Sequence, residues 1–360
     1  MKRRIAILQP EIPHFRDEFF FGLKRDYECD VYVYNTLEQS RKHGYCIHEG
    51  LAQHLANLHC GGFMLCNPFP LLRKKYDVLV LMLHPGHLMT WLLLLTKRLH
   101  RKKIILWGQG ISVKRYLTED VRPDRKLKGM IALSDGVWVY MDKQAEQWKI
   151  LFPKKSIISL NNTISGVEKI LSYVPLCSKK DLKQRYGMTE SRILLFCARF
   201  DNPYRRVDLL MSVIERVEAD DVGVVIIGQG QNKPDFSGYL HVYDMGQVYD
   251  ENMKRDLFTL ADIYIQPGWV GLSVVEAMAY GLPVYTFKRS EDVVQCVEYD
   301  YIIHGETGLI FDNMEDAVAA IVQITEQELR KMGQAAKDYV GRKATMRQMI
   351  ERAEWVIEQV

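Results

Sequence analysis

The stretch from residue 261 to residue 287 combines residue types that could bind an anion and position it for chemistry. Residues 261–265 form an apolar run with the length and composition of a buried parallel strand. Pro267, Gly268 and Gly271 then predict a turn, which a compact helix follows. A turn that leads into a helix N-terminus directs free backbone N–H groups and a positive dipole end at one spot. That spot would suit a phosphate group.

Two polar side chains early in the predicted helix, residues 272–280, could add chemistry to this turn. The hydroxyl or N–H group of Ser273 could reach a phosphate oxygen. Glu276 lies on the side of the helix that faces the same spot, where its carboxylate could accept two hydroxyl hydrogens of a ribose. Alternatively, Ser273 caps the helix and Glu276 complements its dipole, and the spacing alone does not separate the two interpretations.

The run GLSVVEAMAYGLPV, residues 271–284, resembles the C-terminal signature of the retaining glycosyltransferases of family 4, which have the GT-B fold. In that family a Glu-x7-Glu motif spans the turn and the helix, and the resemblance assigns its second Glu, the ribose ligand, to Glu276. The first Glu, which usually contacts the transferred sugar, would lie at Gly268. This sequence departs from the family there, and the backbone amides from Trp269 to Leu272 are the expected substitutes.

A second motif follows an apolar strand predicted over residues 193–198. The run RFDNPYRRVDLL resembles the family element G-R-x…K-G-x-D-x-L, in which an Arg and a Lys clamp the donor diphosphate. The resemblance puts Arg199 at the Arg position and Arg205 at the Lys position, where an arginine keeps the charge and adds bidentate reach to phosphate. Two surface ion pairs would be the alternative role for these cations. The predicted diphosphate site comprises Arg199, Arg205, Gly271, Leu272 and Ser273.

Two glycine turns between these motifs resemble family elements on the base side of the nucleotide. A strand predicted over residues 222–227 leads into Gly228, as in the family's I-G-x-G loop. Residues 245–248, which include Gly246 and Val248, resemble the F-x-G-x-V element that lies beside the base. The order of these elements between Arg199 and Glu276 is more specific than any one of them.

Two loops of the first half also resemble family features. The loop after the first predicted strand resembles a Pro-His-x-Arg loop, so His14 and Arg16 are expected to face the cleft between two domains; a loop that ties a helix to the sheet would explain them equally well. After the strand over residues 104–106, Gln109 stands where many members present a histidine to the transferred sugar. We therefore expect Gly268, Trp269, Gln109, His14 and Arg16 to surround the donor sugar and the acceptor.

The alternation of strands and helices predicts an α/β protein, and the resemblance implies the GT-B fold, with two Rossmann-like domains whose parallel sheets face a central cleft. We predict an acceptor-binding domain over residues 1–165 and a nucleotide-sugar-binding domain over residues 166–340. Residues 341–360 carry apolar residues at helical spacing, and this final helix could cross back to the first domain.

The charge of the 360-residue chain is uneven along its length. Residues 1–165 carry 26 Lys and Arg against 15 Asp and Glu, whereas residues 166–360 carry 22 against 30. A basic first half suggests an acidic partner, either an anionic membrane surface or a phosphorylated lipid carrier, or simply a solvated basic face. Nucleic acid is disfavoured because no motif for its binding is visible.

A helix predicted over residues 87–99 bears on the membrane question. It contains the apolar run from Trp91 to Leu95 and leads into a basic cluster, which is the composition of a peripheral membrane contact. Packing of the same leucines against the sheet is the preferred interpretation. The chain shows neither a signal peptide nor a membrane span, and its seven cysteines lack disulfide-like spacing, so a cytoplasmic protein, at most attached to the inner face of the cell membrane, is expected.

Histidines and cysteines crowd together between residues 36 and 75, a region that otherwise predicts a loop-rich connection with one short helix and one strand. Their spacing matches no paired zinc motif, and no Asp-x-Asp metal motif is present, so we expect no metal and no cofactor. The crowded residues are His43, Cys46, His48, His54, His59, Cys60 and Cys66.

The resemblance implies a retaining transfer of a sugar from a UDP- or GDP-sugar to a hydroxyl of a saccharide or lipid-linked acceptor, in surface polysaccharide or glycan assembly. Arg199, Arg205 and the helix N-terminus would stabilise the departing diphosphate. Two alternatives remain open. A GT-B nucleotide-sugar epimerase would need acid and base carboxylates that we cannot place. A non-catalytic sugar-nucleotide-binding subunit would explain the departures at Gly268 and Gln109.

Overall fold

A computed structural model describes residues 3–42 and 50–360 of the chain. The chain divides into two compact units, one formed by Met1–Gly166 with Thr345–Val360 and the other by Val167–Ala344. Within the described residues, no helix is both long enough and apolar enough to cross a membrane.

The first unit alternates strands and helices along most of its length, as its βαβ opening predicts. In chain order its elements are β1 (Arg4–Gln9), α1 (Asp17–Asp26), β2 (Glu28–Val33), α2 (Leu37–Lys42), β3 (Gln53–His54), β4 (Asn57–Cys60), β5 (Phe63–Cys66), β6 (Val78–Met82), α3 (Leu88–Leu95), α4 (Lys97–His100), β7 (Lys103–Gly108), α5 (Tyr116–Val121), α6 (Arg125–Leu133), β8 (Gly136–Val139), α7 (Asp142–Leu151) and β9 (Ser156–Ser159). Short 3₁₀ turns, His14–Arg16 and Val113–Arg115, precede α1 and α5.

The second unit has the same alternation. Its elements are α8 (Val167–Leu171), α9 (Lys179–Arg185), β10 (Arg192–Cys197), α10 (Val207–Val217), β11 (Val222–Ile227), β12 (Val242–Asp244), α11 (Glu251–Leu260), β13 (Ile263–Ile265), α12 (Ser273–Ala279), β14 (Val284–Phe287), β15 (Gly308–Phe311), α13 (Met314–Gln323) and α14 (Glu326–Lys343). The 3₁₀ turns Pro203–Arg205 and Val297–Tyr301 lie before α10 and β15. The last helix of the chain, α15 (Met346–Gln359), is part of the first unit.

Each unit contains one fully parallel sheet. The strand order is β3-β2-β1-β6-β7-β8-β9 in the first unit and β12-β11-β10-β13-β14-β15 in the second. In both sheets the order reverses beside the first strand, between β1 and β6 and between β10 and β13. Sheets of this kind bind ligands outside the carboxyl ends of their strands at such a switch point.

The sequences of the strands are continuous apolar runs because helices cover both faces of each sheet. Alternate residues of β6 illustrate this, since Leu79 and Leu81 enter one core of the first unit while Val78 and Val80 enter the other. The second of these cores also contains residues of α1 and α15, so the final helix covers that face. The α/β prediction, with parallel sheets in two Rossmann-like units, is confirmed.

Residues 36–75 contain more structure than the loop-rich connection that the sequence predicts. Strands β4 and β5 form an antiparallel hairpin in addition to α2 and β3. Of the crowded histidines and cysteines, His43, Cys46 and His48 lie outside the described residues. In the part of the chain that the structure describes, no cluster of three or more His, Cys, Asp or Glu side chains could hold a metal ion.

The helix expected over residues 87–99 is divided into α3 and α4, which meet at Thr96. Packing against the sheet explains only part of its apolar run. Leu93 and Leu94 are buried in the core, whereas Leu92 and Leu95 are exposed. The preferred interpretation is therefore confirmed for the first pair and wrong for the second.

Candidate functional site

The loops after β10 and β13 meet at the switch point of the second sheet. Gly268, in the loop after β13, lies directly against the backbone of the loop after β10: a Cβ atom added to Gly268 would lie 2.4 Å from the carbonyl oxygen of Tyr204 and 2.9 Å from Cγ of Arg206. No side chain fits in that space without moving the backbone. The family motif has its first Glu at this position, and its absence here coincides with the close approach of the two loops.

Arg205 ends the 3₁₀ turn Pro203–Arg205 at this meeting point. Its Nε and Nη1 atoms are buried and have no hydrogen-bond partner, and within residues 3–42 and 50–360 its guanidinium forms no ion pair. Burial lowers the pKa of Arg205, and the neighbouring charge of Arg199 acts in the same direction. An arginine nevertheless stays charged in a protein. The site therefore contains a largely buried cation with no counter-charge.

The neighbours of Arg205 do not supply that charge. Tyr264, Cys197 and Cys296 lie close enough to influence it. Burial raises the pKa of Cys197 to about 11, and it also raises the pKa values of Tyr264 and Cys296. All three groups are therefore neutral near pH 7. Arg199 is exposed at the same edge of the sheet, so the structure brings the two predicted clamp residues together.

The turn before α12 offers fewer free amides than the sequence suggests. The N–H group of Trp269 donates to the carbonyl oxygen of Val294 at 2.9 Å, and that of Val270 donates to Oε1 of Gln295 at 2.8 Å. The N–H groups of Gly271, Leu272 and Ser273 find no acceptor among the described residues. Of the four amides from residue 269 to residue 272, only the last two can bind a ligand.

A buried glutamine, Gln266, fixes the shape of this turn. Its Oε1 atom accepts hydrogen bonds from the hydroxyls of Tyr264 at 2.9 Å and Ser273 at 3.1 Å. Its Nε2 atom donates to the carbonyl oxygens of Gly268 and Trp269, at 3.3 and 3.0 Å. The hydroxyl proton of Ser273 is thus used inside the protein, and its N–H group is what remains for a ligand.

Glu276 lies in the first turn of α12 and is paired with Lys254 of α11. The Lys254 ammonium donates to Oε2 at 2.8 Å and lies 2.7 Å from Oε1. Burial is the largest single influence on the pKa of Lys254 and lowers it, but the charge of Glu276 and the hydrogen bond to it, together with the nearby Cys197 and Glu251, hold the pKa above its ordinary value. Because the ammonium contacts both oxygens, the carboxylate is held in one orientation with lone pairs left for other donors.

The predicted base-side residues lie in loops that pack closely beside this site. The N–H group of Gly228 donates to the carbonyl oxygen of Gly246 at 2.7 Å. Gly228 has a φ of 148°, and a Cβ atom there would lie 2.0 Å from the carbonyl oxygen of Ala198, so only glycine fits. Val248 follows β12 and is half-buried. These contacts join the loops after β10, β11 and β12.

The two residues that flank Gly268 in space have unusual backbones. Arg206 and Trp269 are in the left-handed region, with φ values of 55° and 50°. Arg206 is held there by Asp208, to which its Nε and Nη2 atoms donate at 2.6 to 3.1 Å. The Trp269 ring stacks on Tyr204, with centroids 5.3 Å apart and planes at 21°. Bulky residues rarely adopt this conformation, and such residues cluster at functional sites.

The residues expected around the acceptor belong to the first unit. His14 and Arg16 lie on the 3₁₀ turn after β1, where His14 is exposed and Arg16 is buried. Arg16 donates to Oδ1 of Asn162 at 2.5 Å and to the hydroxyl of Tyr140 at 3.4 Å. These contacts tie the loop to the strand ends β8 and β9. Gln109, just past β7, is half-buried.

Sequence reasoning missed the residues that support the site. Lys254 is 22 positions before Glu276, and no pattern in the sequence links them. Gln266 and Gln295 lie beside the turn without belonging to a motif. A polar residue in an apolar strand end, such as Gln266 directly after residues 261–265, is the one signal that could have drawn attention to this support.

Comparison with known proteins agrees with this geometry. Residues 191–327, which span β10 to β15 and therefore all the residues of this site, match the family model described as glycosyl transferases group 1. The chain is 28% identical over 162 residues to a phosphatidyl-myo-inositol mannosyltransferase of Mycolicibacterium smegmatis. That alignment covers 41% of this chain and 40% of the relative, so the chain spans less than half the length of the curated relative it matches.

Solved structures resemble nearly the whole chain. A sucrose-phosphate synthase from Thermosynechococcus elongatus superimposes with a TM-score of 0.66 at 14% identity, over 99% of both chains. Anabaena HepE, solved in complex with UDP, gives a TM-score of 0.64 at 13% identity, over 99% of this chain and 100% of its own. Identities this low establish the fold alone. Residues 191–327 therefore carry a glycosyl transferases group 1 domain, in a chain with the GT-B fold.

Proposed function

We propose that this protein transfers a sugar from a nucleoside diphosphate sugar to a hydroxyl group, with retention of the anomeric configuration, as a glycosyltransferase of the family 4 type. One observation carries the proposal: Nε and Nη1 of Arg205 are buried with no counter-charge among the described residues, and the loop that meets the Arg205 loop has backbone N–H groups without acceptors there. A diphosphate supplies the missing charge and the missing acceptors.

The energetics favour an anion at this place. A buried charge without a partner costs several kcal/mol, on the order of the penalty for breaking a buried ion pair. A bound diphosphate removes that cost through hydrogen bonds from Arg205 and from the amides of residues 271–273, while the exposed Arg199 contributes further positive charge. The same groups stabilise the diphosphate as the bond to the anomeric carbon breaks and negative charge grows on the leaving oxygen.

We assign the ribose to Glu276. Its carboxylate accepts two hydroxyl hydrogens, while Lys254 holds its orientation and balances its charge. Glu276 lies in the first turn of the helix whose N-terminus we assign to the phosphates, so one nucleotide can contact both. Gly228, Gly246 and Val248 then form the base side of the pocket.

We assign the transferred sugar to the space next to Trp269. No carboxylate can stand at position 268, because Gly268 lies against the backbone of Tyr204. The stacked Tyr204–Trp269 pair offers an aromatic surface instead, and the apolar face of a sugar ring packs well on such a surface. The amides of Gly271 and Leu272 supply the polar contacts.

We propose the acceptor and the cellular location by analogy with the similar proteins. The curated relative is, by its name, a phosphatidyl-myo-inositol mannosyltransferase. The structure of HepE was solved in complex with UDP. We propose a UDP- or GDP-sugar as donor, without a metal or cofactor, and a saccharide or lipid-linked acceptor held by His14 and Gln109, with Arg16 fixing the loop that carries His14. The reaction would serve surface glycan assembly at the cytoplasmic face of the membrane.

The close packing at Gly268 also favours a second candidate, a sugar-nucleotide-binding subunit without activity, because the family's first Glu is absent for a structural reason. An epimerase is the other alternative. Donor binding without transfer to any member of an acceptor panel supports the subunit, and a changed sugar nucleotide in the absence of an acceptor supports the epimerase.

The test is a thermal-shift screen of the full chain against UDP, GDP and their common sugars, followed by a transfer assay with the donor that binds. We expect one nucleoside diphosphate to raise the unfolding temperature of the wild-type protein and to leave that of Arg205→Met unchanged. Arg330→Met removes an exposed arginine of the same unit and serves as the control. A screen in which no nucleoside diphosphate shifts the wild-type protein would refute the proposal.

A further inference from the structure

Four leucines of α3 and α4 face solvent along one side of this helical segment. Leu88, Leu92, Leu95 and Leu99 recur at intervals of four, three and four residues, so they lie in one row. Their exposed fractions are 42, 45, 70 and 83%. We call this row the leucine face.

The opposite side of α3 is also apolar. Met89, Leu93 and Leu94 are buried in the core of the first unit. A helix that is apolar on all sides is normally buried on all sides, whereas half of this one is in contact with water. The buried side of α3 accounts for the packing of this helix on the sheet. The fold of the unit does not explain why the leucine face is also apolar.

The hairpin that contacts α3 also carries exposed apolar residues. Leu58 of β4 is paired with Leu65 of β5, and Cys60 is paired with Phe63, so these side chains point to one side of the hairpin. Leu58, Phe63 and Leu65 are all exposed, while Met64, on the other side, is buried. Exposed apolar residues on two adjacent elements mark an interaction site more strongly than scattered ones.

Positive charge predominates next to the leucine face, although Lys97 and Lys103 are paired with Asp135, just before β8. Residues 88–103 contain five Lys and Arg and no Asp or Glu. Arg98 and Arg101 are exposed, and neither forms an ion pair with any described residue. Arg101 also lines a surface groove together with Leu99 and Lys74. The apolar row therefore passes directly into a cationic groove.

We propose that the leucine face and the arginines beside it dock on an anionic lipid membrane, with the leucines in the acyl–headgroup boundary and the arginines on lipid phosphates. The chemistry of both parts agrees with this occupant, because apolar area and cationic charge are the two features that bind a surface helix to anionic lipid. The inference rests on the first unit alone and does not depend on the proposed donor site.

A second copy of the chain is the competing occupant, since a row at this spacing can also form a helix pair. Charge argues against it. Two copies would bring Arg98 and Arg101 of each to the same contact, and the segment has no carboxylate to pair with them. Lipid phosphates provide the opposite charge that a second copy lacks.

The experiment is co-sedimentation of the full chain with vesicles of phosphatidylcholine and phosphatidylglycerol, and with vesicles of phosphatidylcholine alone. The test variant is Leu95→Gln with Leu99→Gln. The control is Leu176→Gln with Leu240→Gln, which changes two leucines of the second unit that are 95 and 85% exposed. A third variant, Arg98→Gln with Arg101→Gln, removes charge only. Thermal unfolding establishes that each variant is folded.

We expect the wild-type protein and the control to bind the anionic vesicles, and binding to weaken as salt is raised. The leucine variant should lose at least tenfold in partitioning. The arginine variant should lose about fivefold for each charge removed and become less sensitive to salt. Wild-type binding by the leucine variant, or no binding by the wild-type protein, would overturn the proposal. A wild-type dimer that the leucine variant converts to a monomer, without vesicle binding, would assign the face to a second copy.

Discussion

Arg16 and Arg205 occupy corresponding places in the two units. Each is the last residue of a 3₁₀ turn that follows the first strand of its sheet and precedes the next helix, α1 or α10. At the carboxyl edge of a parallel sheet, Arg16 is buried, whereas Arg205 is half-buried with its Nε and Nη1 atoms out of contact with water. Their surroundings differ, and the difference separates a cation that supports the fold from one that is available to a ligand.

Arg16 is held by neutral groups, although its Nε atom, like that of Arg205, is buried without a hydrogen-bond partner among the described residues. It donates to Asn162 and Tyr140, and its guanidinium lies 5.4 to 5.9 Å from the ring centroids of Phe15, Trp107 and Tyr140. Aromatic faces stabilise a cation without another charge. His87, which follows β6 in the same unit, is neutral near pH 7, because burial, with smaller contributions from His84 and His59, lowers its pKa to about 4.

Arg205 has none of these partners. Its Nε and Nη1 atoms are buried and find no acceptor among residues 3–42 and 50–360, and the second cation of the pair, Arg199, adds charge of the same sign. The fold of the second unit thus contains a strained electrostatic arrangement that an anion would relieve. The comparison predicts opposite consequences when each arginine is removed.

Arg205→Met should produce the largest effect, a loss of turnover of about 100-fold or more, because the growing charge of the departing diphosphate loses its buried partner. The stability of the free protein should stay the same or rise, since an uncompensated buried charge is removed. Transfer assays and urea unfolding measure the two quantities. Full turnover in this variant would remove the basis for calling Arg205 a ligand-binding residue.

The neutral state of His87 predicts a pH dependence of stability. His87 binds its proton with a pKa of about 4 when folded and about 6.5 when unfolded, so the unfolded chain takes up protons first as the pH falls. The contribution is complete above pH 6.5 and is lost between about pH 6.5 and pH 4, by about 3 kcal/mol.

Urea unfolding at pH 7 and at pH 4.5 tests this expectation in the wild-type protein and in His87→Phe. The stability of the variant should fall less over this range. His14→Phe replaces an exposed histidine of the same unit and should behave as the wild-type protein does. Equal pH dependence in all three proteins would show that His87 is not held neutral.

Arg16→Met should destabilise the protein by about 2 kcal/mol, because two hydrogen bonds and the contacts with three rings are lost. Its nucleotide affinity should match that of the wild-type protein, since the donor site lies in the second unit. Chemical unfolding and nucleotide titration give both values. A loss of nucleotide affinity without a loss of stability would reverse the roles assigned to the two arginines.

Lys254→Met should have the smallest effect, an increase of about tenfold in the KM for the donor with a smaller change in kcat. Glu276 keeps its place on α12 but loses the ammonium that fixes its orientation. Lys254→Arg should restore most of the affinity because it restores the ion pair. If both variants bind the donor like the wild-type protein, Glu276 does not depend on this pair.

The fold was predictable because its strands are long apolar runs. Residues 222–227 predict a strand that the structure places at β11 with the same bounds, and the helix over residues 272–280 is found as α12. The approximate location of the site followed from motifs within short segments. Local sequence contains that information, since a glycine turn before a helix leads to the same geometry in any parallel sheet.

The parts that the sequence did not reveal depend on contacts between distant segments. The close approach of Gly268 to Tyr204 joins positions 64 residues apart, and the pairing of Lys254 with Glu276 crosses from one helix to the next. The leucine face could not be predicted either, because composition gives the apolar character of Leu92 and Leu95 but not the side of the helix that the sheet covers. Such features become visible only when the packing is known.

The central claim is that Arg205 is the buried partner of a diphosphate, and one calorimetric comparison tests it most directly. For the nucleotide that binds best, the affinities of the diphosphate and of the nucleoside without phosphates are measured in the wild-type protein and in Arg205→Met. We predict that the diphosphate binds at least 100-fold more tightly than the nucleoside in the wild-type protein, and that most of this difference disappears in the variant. An unchanged difference between the two ligands in Arg205→Met would contradict the claim.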